Sequence, residues 1–119
     1  MADQKSRLQI LDTDDVKRVR FRDRHILDET LIQQIADEIS LVIDQATEPK
    51  ILLDFTGVEH LSSAALGAMI TINNKVRAKA GQLRLVNIDK QIYEVFVITK
   101  LSDLFQIHTD EQKAMSSFS

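Results

Sequence analysis

The segment Ile51-Leu52-Leu53-Asp54-Phe55-Thr56-Gly57-Val58-Glu59-His60-Leu61-Ser62-Ser63-Ala64-Ala65-Leu66-Gly67 contains an apolar run, a turn and the opening of a helix. Ile51 to Leu53 has no polar alternation, the pattern of a central strand covered on both faces. Asp54 to Gly57 supplies turn residues, and Val58 to Leu61 is at most a short extended piece. From Ser62 the spacing becomes helical: Leu66, Met69, Ile70, Asn73, Val76 and Ala80 trace one stripe, and Gly81 stands where a left-handed C′ residue would end it.

Upstream, Leu8 to Leu11 is a short apolar run and predicts a first strand. Val16 to Phe21 follows after the Asp12 to Asp15 turn, with Val19 and Phe21 on one face and Arg18 and Arg20 on the other. Asp28 is the expected N-cap of a helix whose stripe runs through Leu31, Ile35, Ile39, Val42, Ile43 and Ala46, with Glu48 and Pro49 stopping it. Downstream, Leu83 to Ile88 predicts another strand with Leu83 and Leu85 in phase. Asp89 is expected to cap a third helix with Ile92, Val95 and Phe96 inward and Lys100 near its end. Leu104, Phe105 and Ile107 lead to a last short strand, and Thr109 with Gln112 form a capping box for a helix holding Ala114 and Met115. Strand–helix alternation predicts an α/β fold with a mainly parallel central sheet of four or five strands, right-handed crossovers and about four helices.

The 119 residues fit one domain, with a core over about 8–118. With only 3 Gly and 1 Pro, there is no linker composition to divide it. Cys is absent, which excludes disulfides, thiolate metal sites and a Cys nucleophile and suits a reducing, cytoplasmic setting. A net charge of −3 lacks the footprint of a nucleic-acid binder. Apolar runs are too short to insert in a membrane, and Met1 to Arg7 has no apolar leader core.

Catalytic and cofactor chemistry is thinly represented. His25, His60 and His108 lack ligand spacing in the chain, and Asp12, Asp14 and Asp15 are followed by no calcium-loop Gly or Glu. The glycines, Gly57, Gly67 and Gly81, cannot compose a phosphate-binding loop, so no metal or cofactor is expected. An esterase-like reading would require Asp54, His60 and Ser63 to meet as a triad. A hydroxyl opening a helix has two further uses. It can cap, by accepting a backbone N–H bond, or it can stand exposed as a phosphate acceptor. Spacing leaves both open for Ser62 and Ser63.

The same segment resembles the signature of STAS domains, the family of bacterial anti-sigma factor antagonists. Their apolar strand closes on Asp, turns, and opens a helix on Asp-Ser-Ser/Thr/Ala-Gly-Leu. Leu53 to Val58 is similar to the strand and turn, and Ser62 to Gly67 to the helix start, with Ser62 in place of the family's acid and Ala65 in place of its glycine. Gly81 to Asn87, Val95 to Phe105 and Ala114 to Phe118 extend the likeness over about the whole chain. The resemblance implies a non-enzymatic switch. It implies an anti-sigma factor that is itself a serine/threonine kinase as partner, a serine phosphatase as resetting enzyme, and control of sigma-dependent transcription. It places the phosphoacceptor at Ser63, nine residues after Asp54, with Asp54, Thr56, Gly57, Ser62, Ala64 and Leu66 as its neighbourhood. The alternative within the family is a constitutive, unphosphorylated adaptor for a transporter or stress-signalling assembly.

Overall fold

The computed structural model describes residues 6–118; the start of the stretch expected to lack a leader, residues 1–5, lies outside the described residues. Leu8–Thr13 (β1) and Val16–Phe21 (β2) form an antiparallel hairpin. Its loop residues Asp14 and Asp15 have φ of 51° and 69°, the doubled left-handed geometry of a type I′ turn, which Asp tolerates. The expected solvated turn carries ion pairs from Asp12 to Lys17 and from Asp15 to the half-buried Lys50.

The chain continues through His25–Ile26 (β3), Glu29–Asp44 (α1), Lys50–Asp54 (β4), His60–Leu61 (β5), Ser63–Ala78 (α2), Gln82–Val86 (β6) and Lys90–Ile98 (α3). A 3-10 turn at Leu101–Asp103, then Gln106–His108 (β7) and Glu111–Ser116 (α4), complete it. The main sheet has the order β1-β2-β4-β6-β7, antiparallel only at its first pair. β4 lies in the middle, as its unbroken apolar run requires. Ile51 and Leu53 face the layer of α1, α2 and α3, whereas Leu52 joins Val16, Val86 and Ala114 of α4 on the opposite face. This second core makes β2 apolar on both sides at its start, a departure from the expected half-buried strand. α4 is held there by Arg84, which donates to the Ser117 hydroxyl at 2.9 Å and lies over the Phe118 ring. Arg18 and Glu111 form an ion pair on the same side.

The helix caps follow the sequence with informative exceptions. Asp28 and Asp89 cap α1 and α3 as expected. At α4 the cap is Asp110, not Thr109: its carboxylate accepts from the Gln112 N–H at 2.8 Å, and a charged acceptor is favoured by the helix dipole. In α1 the buried face starts at Ile32 rather than Leu31. In α2 Ala65 and Ile72 join Met69, Asn73 and Val76 in the core, leaving Leu66 and Ile70 half-buried. Val95 of α3 is 42% exposed rather than inward, because this nine-residue helix docks by the narrow Ile92–Phe96 seam.

Past α2, Ala80 rather than Gly81 takes the left-handed conformation, with φ of 57°. The N–H groups of Ala80 and Gly81 donate to Arg77 and Val76 carbonyls, the Schellman pattern. Gly81 is required by close approach instead: a Cβ there would lie 2.4 Å from the Pro49 carbonyl oxygen and 2.9 Å from Val76 Cγ1. Gly81→Ala is expected to cost about 1–3 kcal/mol through overpacking, read as a Tm lower by several degrees in thermal unfolding. An unchanged Tm would refute the close-packing account.

Candidate functional site

The site is built on the C-terminal end of β4. Asp54 is 1% exposed and lies opposite Arg20 of β2 and Val86 of β6 in the sheet register. A carboxylate survives there because its oxygens are saturated. The Thr56 N–H and hydroxyl donate to Oδ1 at 3.0 and 2.6 Å, and the Asn87 amide donates to the same atom at 3.1 Å. Arg20 donates from Nε and Nη2 to Oδ2 at 3.2 and 2.9 Å. Burial by itself would raise the Asp54 pKa. The bonds from the Thr56 hydroxyl, the Thr56 N–H, Asn87 and Arg20 outweigh it and hold the carboxyl below its ordinary value. Asn87 is held at φ of 60°, which Asn accepts more readily than most residues, and it also donates to Thr56. Gly57, at φ of 86°, completes the turn.

That turn delivers the chain to α2. The N–H groups of Glu59 and His60 donate to the Arg24 carbonyl, and that of Ser62 donates to Ile26 at 3.1 Å. The two roles open to the serines are divided between them. Ser62 is the N-cap, accepting the Ala65 N–H at 3.1 Å. Ser63 is the first helical residue and is exposed, as is Ala64. Ala65 occupies an ordinary helical position, so the departure from a family glycine needs no unusual backbone. α2 has no acid in its first turn, and Lys75 and Arg77 sit in its last. Its positive end therefore carries no compensating acid in the turn where Ser63 is exposed.

Thr56 and Gly57 are exposed on the rim of an open cleft of about 800 Å³ at the carboxyl ends of the parallel strands, lined also by Asn87, Lys90, Tyr93 and His108. Asp54 lies beneath this surface and acts on it only through Thr56 and Asn87. Its carboxylate bonds Arg20, Thr56 and Asn87 while the His60 ring engages His25, so no Asp54–His60–Ser63 chain forms among the described residues. Arg20 and Asn87 were absent from the sequence-derived neighbourhood. The alternation of β2 placed Arg20 on the correct face, but only sheet pairing reveals its partner.

The separation of roles predicts unequal serines. Ser62→Ala is expected to cost about 1 kcal/mol of stability in denaturant unfolding, and Ser63→Ala to stay within about 0.5 kcal/mol of the parent. A larger loss for Ser63→Ala would mean that residue 63 caps the helix.

A mainly parallel five-stranded sheet with helices on both faces, and a helix opened by Ser62 and Ser63 after a buried strand-ending Asp, define a small α/β domain of the STAS type. The STAS domain family model matches residues 9–114, and the chain belongs to that family. It is 24% identical over 86 residues to BtrV of Bordetella bronchiseptica, whose name assigns it to the anti-sigma factor antagonists; the match covers 72% of this chain and 73% of that one. An anti-sigma-factor antagonist (STAS) domain protein from Planctomyces limnophilus superimposes with a TM-score of 0.84 at 19% identity, covering 92% of this chain and 96% of that one. The Bacillus cell fate determinant SpoIIAA, in its phosphorylated form, superimposes with a TM-score of 0.68 at 22% identity over 92% and 96% of the two chains. Among the described residues no helix is long and apolar enough to cross a membrane.

Proposed function

We propose that this protein is an anti-sigma factor antagonist, a non-enzymatic binding partner whose docking surface is centred on Ser63 and switched by phosphorylation there. The reading is carried by one observation: Ser63 is exposed in the first turn of α2, which holds no acid, while its neighbour Ser62 does the capping. The names of BtrV and of the Planctomyces protein, and the phosphorylated form recorded for SpoIIAA, support it.

Unmodified, the surface around Ser63, with Ala64, Leu66, Thr56 and Gly57, docks on an anti-sigma factor and frees the sigma factor for transcription. The anti-sigma factor, acting as a serine kinase, transfers a phosphoryl group from ATP to Ser63 Oγ. The serine proton is released and ADP leaves. The new group carries a charge of about −1.5 to −2 into an interface that fits a neutral hydroxyl, and its desolvation expels the partner. Free N–H groups and the dipole of α2 stabilise the same charge within the fold, so modification alters binding far more than folding. A serine phosphatase restores the docking form in the cytoplasm.

Incubation with ATP and the anti-sigma factor kinase, read by intact mass, is the direct test. One added phosphate that disappears in Ser63→Ala is expected. An unmodified mass with binding intact would replace the switch by a constitutive adaptor.

A further inference from the structure

His25 and His60 are 35 residues apart in the chain, yet the parallel pairing of β3 with β5 sets them directly opposite each other. Their rings meet edge to edge, with centroids 4.8 Å apart and planes 15° apart, and their Nδ1 atoms are separated by 2.8 Å. One ring donates that bond and the other accepts it. Glu59 brings a carboxylate oxygen to 4.0 Å from His25 Nε2. Ligand atoms of all three residues fall within 4.8 Å of one another, and all three residues are exposed.

From this cluster we infer a surface site for a divalent transition ion of the zinc class, with His25, His60 and Glu59 as ligands. Two imidazoles and a carboxylate are the donor set that such an ion takes, leaving a fourth position for water. Nitrogens bound at about 2.0–2.1 Å from a tetrahedral ion stand roughly 3.3 Å apart, so the two Nδ1 atoms separate by about half an ångström and each exposed ring turns until its lone pair points at the ion instead of at the other ring. The donating ring moves its proton from Nδ1 to Nε2, which frees both Nδ1 lone pairs while the rings stay neutral. The backbone is already fixed: Glu59 and His60 N–H groups bond Arg24, and Ser62 N–H bonds Ile26. The ion then has to order three exposed side chains on this fixed backbone: the two rings, and Glu59, whose carboxylate now lies nearer His25 Nε2. The site does not depend on the role given to Ser63.

The test is titration of the untagged full chain with Zn²⁺, followed by calorimetry and by the histidine ring resonances in NMR. Saturation at one equivalent, with shifts at His25 and His60 but not at His108, is expected. His25→Ala and His60→Ala should each weaken binding by about tenfold or more, and Glu59→Gln by a smaller factor. All three positions are exposed, so the variants should keep the parent Tm; His25→Asn and His60→Asn serve if an alanine variant does not fold. Absence of saturable binding below millimolar Zn²⁺, or binding unchanged in both histidine variants, overturns the assignment.

Discussion

Ser63→Asp is expected to lower affinity for the anti-sigma factor by about ten- to hundredfold, equivalent to about 1.4–3 kcal/mol, while Ser63→Ala binds like the unmodified protein. The asymmetry follows from where the residue sits. At the first position of α2, an aspartate finds unpaired N–H groups and a favourable dipole, so the isolated domain keeps its stability. The partner must instead desolvate a fixed negative charge where it met a hydroxyl. Calorimetric or surface-based titration of the three proteins, with Tm measured in parallel, separates these effects. Equal affinity for Ser63→Asp and the parent would end the switch reading. A Tm lowered together with the affinity would assign the loss to folding.

Asp54→Ala is expected to destabilise the protein by about 2–4 kcal/mol, because it leaves the donors of Thr56, Asn87 and Arg20 without their shared acceptor. Arg20 is 46% exposed, so its ion pair is partly screened and the larger share comes from the uncharged donors. The same residue sets an acid dependence. Its folded pKa is below the unfolded value, so the unfolded chain binds the proton more readily and stability rises with pH. The contribution is complete above the unfolded carboxylate range of about 4 and is lost as pH falls through the lower, folded value. Denaturant unfolding of the parent between neutral and acid pH should show this loss, and Asp54→Asn should flatten it. An identical pH profile for parent and Asp54→Asn would show that the carboxylate is not held ionised by its partners.

Local pattern carried much of the architecture. The unalternating Ile51 to Leu53 run belongs to the central strand β4, because a strand with helices on both faces has no side for polar residues. Asp28 and Asp89 cap their helices because a side-chain acceptor next to the first turn acts on its own backbone. Ser62 and Ser63 fell at a helix start for the same local reason. Where local signals competed, as with Thr109 beside Asp110 or Ala80 beside Gly81, geometry made the choice. The acceptor that reached the free N–H became the cap, and the glycine went where the Pro49 carbonyl left no room for a side chain.

The sequence by itself determined the strand–helix alternation, most caps and the position of Ser63 at the head of α2, since each rests on residues within a turn or two of one another. Only the tertiary structure decided that Arg20 and Asn87 join Thr56 on Asp54, and that His25 stands against His60 beside Glu59. Those meetings depend on the register of strands far apart in the chain, which long-range packing sets and no local periodicity encodes.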